Sequence, residues 1–290
     1  MAEFLPMKPI FTLICTAALV LSYATGVAQD DKKKKKAAEK PKVHPTGYTD
    51  TPLLPGGKWR VHDDARPRPD VVTPGETAAH APSDAIVLFD GTNLDQWVME
   101  KESAKADWIV KDGFMEVPPK DQTVGGYIRT KKEFSDVQLH IEWASPAEVK
   151  GDSQGRGNSG IFFLGEYEVQ VLDSYKNKSY ADGQASALYG WKPPLVNAAR
   201  KSGEWQTYDI IFEAPKYDSE GNVLEKAYVT VIHNGVVTQH RQSFLGPTGH
   251  KRVATYKGGP SKGPIKLQNH GNPTRFRNIW IRELNLNSND

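Results

Sequence analysis

Residues Gly165–Tyr175 read GEYEVQVLDSY, and their polar positions are spaced for chemistry. Glu166, Glu168 and Gln170 alternate with Tyr167, Val169 and Val171, as in a strand with one acidic or amide face and one apolar face. Same-face neighbours on a strand lie about 6.5–7 Å apart. A β-bulge after Gln170 would return Asp173 to the face of Glu168. The expected row is carboxylate, amide, carboxylate. Two carboxylates across a cleft divide acid and base roles when their surroundings separate their pKa values, and the Gln170 amide would orient a substrate hydroxyl. The competing reading is a solvated polar face.

Other stretches supply partners for that row. In PIKLQNHG (264–271), Ile265 and Leu267 face inward, and Lys266, Gln268 and His270 share the opposite face. A histidine such as His270 titrates near neutrality and serves as acid, base or metal ligand; the plainer alternative is an exposed strand end. Arg275 and Arg277 are candidates to bind hydroxyls or a developing oxyanion, or form an ordinary surface charge pair. Asn158 sits in the glycine-rich GRGNSGIFF (155–163), where backbone can approach a ligand or simply turn. Trp191 offers either a stacking platform for a sugar face or packing. His233, before a hairpin turn, reads as exposed structure. Dinucleotide, P-loop, HExxH, GxSxG and EF-hand patterns are absent.

The elements that must position these groups are strands. Residues 84–91, 108–117, 136–143, 160–173, 205–214, 226–240, 264–271 and 276–284 are short apolar or alternating runs. Asp112-Gly113 and Asn234-Gly235 are hairpin signals. No long segment has a helical period, so the expected fold is all-β, two antiparallel sheets packed as a sandwich.

The N-terminus has a different composition. Lys8 precedes an apolar stretch, Ile10–Val27, followed by small residues around Ala28, the layout of a signal peptide over 1–28; the stretch is also long enough for a short retained anchor. Cleavage after Ala28 would remove Cys15, the sole cysteine, leaving a mature chain without disulfides, thiol catalysis or zinc–thiolate sites. The expected location is the bacterial periplasm or exterior, with no stable membrane insertion after cleavage. Residues 29–43 form a Lys-rich spacer. The run 30–42 has seven lysines against three acids, net +4; the whole chain is +2, so the remainder after Lys42 carries −2. The basic balance therefore belongs to the spacer and gives no reason to expect nucleic acid as a partner. Residues 44–83, rich in Pro and Gly, read as an extended arm docking through Trp59 and Val61, ahead of a domain spanning 84–290.

Five stretches in order, VLFDGTNLDQW (87–97), GNSGIFFLGEYEVQVLDSY (157–175), GEWQTYDIIFEAP (203–215), HNGVVTQ (233–239) and LQNHGNPTRFRNIWIREL (267–284), resemble the 3-keto-disaccharide hydrolase domain family over residues 84–290. The resemblance implies a concanavalin A-like jelly-roll sandwich, export, an oligosaccharide or small glycoside as substrate, and cleavage of glycosides already oxidised at C3. A C3 ketone acidifies the C2 proton, so a base can form an enediolate and the C1 substituent can leave. In that chemistry Glu168 and His270 are the candidates for proton transfer and Asp173 for a partner acid or metal ligand. Gln170, Gln268, Asn158 and Trp191 would bind substrate. Arg275, or a divalent ion such as calcium, would stabilise the enolate. The same sandwich can also serve as a lectin-like binding module or an envelope interaction protein. Aglycone, anomer, metal requirement and oligomeric state are left open by the sequence.

Overall fold

The computed structural model describes residues 45–119 and 126–286, so the expected signal segment 1–28 and spacer 29–43 lie outside the described residues. The chain divides into two compact units, up to Arg66 and from Pro67 onward. In the first, residues 45–66 fold back on themselves through Gly56 and Gly57, both at positive φ, with an antiparallel bridge Leu53–Arg60. Leu54 N donates to Trp59 O and Val61 N to Pro52 O. The 44–83 segment expected as one extended arm is thus shared between the two units.

The second unit is the sandwich. Among its described residues are fifteen strands: β1 (Ile86–Phe89), β2 (Trp97–Met99), β3 (Ile109–Lys111), β4 (Phe114–Glu116), β5 (Ile128–Thr130), β6 (Val137–Ala144), β7 (Ser159–Phe163), β8 (Tyr167–Val171), β9 (Gln206–Glu213), β10 (Lys216–Tyr217), β11 (Val223–Glu225), β12 (Tyr228–His233), β13 (Val236–Ser243), β14 (Lys266–Leu267) and β15 (Arg275–Glu283). Two single 3-10 turns, Ser153–Gly155 and Ala181–Gly183, are the only helical elements among them. One sheet runs β13-β12-β9-β6-β15-β4-β3, with β1 also on β15; the other runs β2-β5-β14-β7-β8. Every pairing within both sheets is antiparallel. This is the all-β two-sheet sandwich that the alternation predicts and the jelly roll that the family resemblance implies. β10 and β11 form a small ribbon of their own.

The alternating side chains make the core. Leu139, Ile141 and Trp143 of β6 and Tyr208, Ile210 and Phe212 of β9 are fully or almost fully buried, and they meet Ile161, Phe163, Tyr167 and Val169 from the other sheet. Phe163 stacks on Phe212 at 4.6 Å between ring centroids, so the two sheets are in direct contact. Both predicted two-residue turns form: Asp112-Gly113 joins β3 to β4 and Asn234-Gly235 joins β12 to β13, all four residues at positive φ. β15 carries an irregularity between Arg277 and Trp280, with Asn278 at φ +47. The extra residue lets Phe276, Ile279 and Ile281 all face inward, while Trp280 turns outward.

Candidate active site

Glu168 and Gln170 lie on the outward face of β8, in the five-stranded sheet. Their cross-strand partners are Phe162 and Gly160 of β7, and beyond these come Lys266 of β14 and Gln268 just past its end. Glu168 and Gln170 are almost fully buried. Gln170 N donates to Ala187 O and accepts Ser186 N at its own carbonyl; Glu168 N donates to Thr248 Oγ1, and Thr248 N to Glu166 O. Segments 184–190 and 244–250 are thereby laced along the free edge of β8. They roof the sheet face into a cavity of about 410 Å³ lined by Tyr127, Asn158, Phe162, Glu168, Gln170, Tyr189, Thr248, Gly249, His250, Gln268 and His270. The solvated polar face is not what forms.

Glu168 is 4% exposed. Burial pushes its carboxyl up to about 8, and the nearby Lys266 ammonium offsets that only in part. Lys266 is held elsewhere: its Nζ bonds Glu100 Oε1 at 2.9 Å and lies over the Phe162 and Tyr127 rings. Gly160 explains how the carboxylate fits. A Cβ there would overlap Glu168 Oε1 and press on the Phe162 ring, so only glycine leaves the floor open. From behind, Tyr208 of the opposite sheet donates its hydroxyl to Gln170 O at 2.9 Å, fixing the backbone at Gln170.

Amides surround the carboxylate. The Gln170 amide reaches Gln154 Oε1 at 2.9 Å, and turned over it places nitrogen 2.9 Å from Ser159 O and 3.3 Å from Glu168 Oε1. Gln154 also donates to Ser179 Oγ and Gly183 O, and its carbonyl accepts Asn158 Nδ2. Gln268 donates to Tyr127 OH at 2.9 Å, while its Oε1 is buried without a partner. Ser159 Oγ donates to Gln268 O and Gln268 N to Gly160 O, lashing the end of β14 to the start of β7. The result is a buried carboxyl ringed by hydrogen-bond donors and acceptors, with His270 and His250 at the exposed rim.

Of the expected site residues, Glu168, Gln170, Gln268, Asn158 and His270 are brought together here. Asp173 is not. β8 ends at Val171, and the Asp173 carboxylate is taken by Arg156 Nε at 2.7 Å, Ser202 Oγ at 2.6 Å and Tyr175 N at 3.2 Å. It lines a neighbouring cavity with Arg156, Gly157 and Asn272. Arg275 also lies elsewhere, on β15 of the other sheet, donating to Gly203 O with its guanidinium over Phe114 and Trp205. Trp191 stands outside the main cavity and donates to Ser243 O. His233 is fully buried rather than exposed; it packs edge-on against Tyr208, and burial, with Arg200 adding to it, lowers its pKa to about 3. Residues that sequence reasoning passed over include Tyr127, Phe162, Gln154, Tyr189, Thr248 and His250. Phe162 has the strand parity of Gly160 on β7; the others lie on loops or beside a strand too short to show a period. Among the described residues no group of three or more His, Cys, Asp or Glu is gathered to hold a metal, and none of their helices is long and apolar enough to cross a membrane.

The family model described as a 3-keto-alpha-glucoside-1,2-lyase-like domain matches residues 84–282, more than half of the chain. The chain belongs to this family. The matched span holds the whole cavity and all but the last strand residue of the sandwich. Among relatives of the 3-keto-alpha-glucoside-1,2-lyase-like domain, a protein of Bacteroides thetaiotaomicron named 3-keto-disaccharide hydrolase is 24% identical over 238 residues, covering 69% of this chain and 78% of that relative. A crystal structure from Parabacteroides distasonis with a provisional glycosyl hydrolase designation is 46% identical, with a TM-score of 0.72, covering 81% of this chain and all of that one. A second structure from the same organism, of like designation, shares the fold at 20% identity and a TM-score of 0.51, covering 69% of this chain and 94% of that one.

Proposed function

We propose that this protein cleaves the glycosidic bond of 3-keto-glycosides, with Glu168 as the base. The observation that carries the reading is a buried carboxyl with a pKa near 8 at the floor of a polar cavity, in a chain of this family. A group of that pKa is a stronger base than an ordinary carboxylate and is substantially ionised just above neutrality. Glu168 takes the proton from C2 beside the C3 ketone. The C–H electron pair becomes the enediolate, and Gln268, Gln170 and Asn158 hold the hydroxyls and the developing oxyanion. The enediolate then expels the C1 oxygen, giving a C1–C2 alkene conjugated with the ketone. The leaving oxygen receives a proton at the rim, where His270 is the candidate donor. Water adds to C1 and a proton returns to C2, completing net hydrolysis. The same reading places the protein in the bacterial envelope or exterior, on the leader-like residues 1–28.

The test is the chain from residue 29 onward, incubated with a 3-keto-glucoside in deuterated water and followed by NMR. Released 3-keto-glucose carrying deuterium at C2, lost in Glu168→Gln, is the expected result. Binding of the sugar without release of product would sink the reaction and favour a lectin-like role.

A further inference from the structure

The cavity over Glu168 continues past Tyr189 and His250. These two rings stack, with centroids 6.3 Å apart and planes 16° apart, and Tyr189 OH lies 3.0 Å from His250 Nδ1. Both side chains line the catalytic cavity, and both also line a second compartment of about 450 Å³ beyond it. The walls of that compartment are Tyr180, Asp182, Lys251, Arg252 and Val253. Tyr180 meets Tyr189 edge-on, and their hydroxyls are 2.8 Å apart. Gly190 N donates to Asp182 O, tying one wall together. The Arg252 side chain lies against Gly249, where a Cβ would overlap its Nε.

The two compartments differ in chemistry. The first has the buried base and the amides. The second has aromatic and aliphatic surface at Tyr180, Tyr189 and Val253, and two cations against one carboxylate. Tyrosine faces suit a flat ring, and a guanidinium beside an ammonium suits a carboxylate. In a glycoside the leaving group lies on the far side of C1 from C2, the carbon whose proton Glu168 takes. The Tyr189–His250 pair lines both compartments, so a C1 substituent that leaves the first compartment on this side enters the second.

We propose that the second compartment is the leaving-group subsite, and that it takes a planar aromatic aglycone bearing a carboxylate: the ring against Tyr180 and Tyr189, the carboxylate on Arg252 and Lys251. This rests on the glycoside-cleaving reading above. The test separates the two. Calorimetric titration of the protein with 4-hydroxybenzoate, which needs no turnover, reads the compartment directly. Binding is expected, weakened about tenfold in Arg252→Ala and in Tyr180→Ala, with phenol weaker and insensitive to Arg252→Ala. In turnover, kcat/KM for 4-carboxyphenyl 3-keto-glucoside relative to methyl 3-keto-glucoside is expected to fall about tenfold in both variants. Equal binding by wild type and both variants, or an unchanged ratio, overturns the proposal. If 4-hydroxybenzoate binds as expected but no 3-keto-glucoside is turned over, the ligand class stands, and the leaving-group role falls with the reaction.

Discussion

The two sheets each bury ionisable groups on their outward faces, and they treat them in opposite ways. On the eight-stranded sheet, His140 Nδ1 lies 2.7 Å from Asp209 Oδ1 and its ring stacks on Trp280. Glu142 accepts Arg277 Nε at 2.7 Å and Asn278 Nδ2 at 2.9 Å. Ala79 O then accepts both Asn278 Nδ2 and Trp280 Nε1, so residues leading into the sandwich close over the cluster. On the five-stranded sheet, Glu168 is as deeply buried, yet the nearest cation is engaged with Glu100. Burial opposes charge in both places. Partners outweigh it at His140, raised to about 9, and at Glu142, lowered to about 2; at Glu168 they do not. Buried charge that is compensated holds structure together, whereas buried charge left uncompensated, facing a cavity, is available to react.

The sharpest break in that comparison is Glu168→Gln. It keeps the shape and removes the base, so kcat/KM on a 3-keto-glucoside is expected to fall by about 10³-fold. The wild-type kcat/KM should rise with pH through an apparent pKa of about 8, because the base must be ionised. The same substitution should stabilise the fold. A carboxyl whose folded pKa is raised loses stability as pH climbs from its unfolded value toward 8, and glutamine does not titrate. Denaturant unfolding at pH 9 should therefore show the variant more stable than wild type. Equal stability would mean that Glu168 is compensated after all.

Gly160→Ala comes next. Its methyl group would displace the Glu168 carboxylate without touching its chemistry. A shift of that kind is expected to cost about 10²-fold in kcat, with the fold intact by circular dichroism. His270→Ala, at the exposed rim, is expected to cost about tenfold, and less for substrates with an acidic leaving group that departs without help. Equal loss for acidic and basic leaving groups would remove His270 from that role.

Much of this was legible in the sequence, for a physical reason. Strand parity at Glu168 and Gln170, and again at Lys266 and Gln268, puts these residues on one face whatever the loops do. The same parity in Val229, Val231 and His233 already points His233 inward, although its place beside a turn suggested exposure. Asp173 fails because the bulge needed to return it does not form: the strand stops, and Arg156, seventeen residues upstream, claims the carboxylate. Short strands such as Trp97–Met99 and Ile128–Thr130 carry too few residues for a period to register. The roof over the site, with Thr248, His250 and Tyr189, is set by loop hydrogen bonds to the edge of β8, and no pattern of residue types encodes those.

The smallest expected effect on activity belongs to the opposite sheet, and it is informative because it is small. Glu142→Gln should leave kcat/KM within about twofold, since Glu142 faces away from the cavity. It should still cost about 1–2 kcal/mol of stability, because half-exposed Arg277 and buried His140 lose a charged partner. The pH dependence fixes the cause. His140 is raised in the folded state, so its contribution is complete below pH 6.5 and disappears as pH rises through about 9. Glu142 is lowered, so its contribution is present above pH 4.5 and disappears as pH falls toward 2. Glu168 also erodes stability on the alkaline side, so the measurement belongs in a Glu168→Gln background. There, unfolding free energy from pH 6 to 9 should decline with His140 present and stay level in His140→Gln. A decline of equal slope in both would mean that His140 is not held charged by Asp209 and Glu142, and the contrast between the two sheets would have to rest on burial alone.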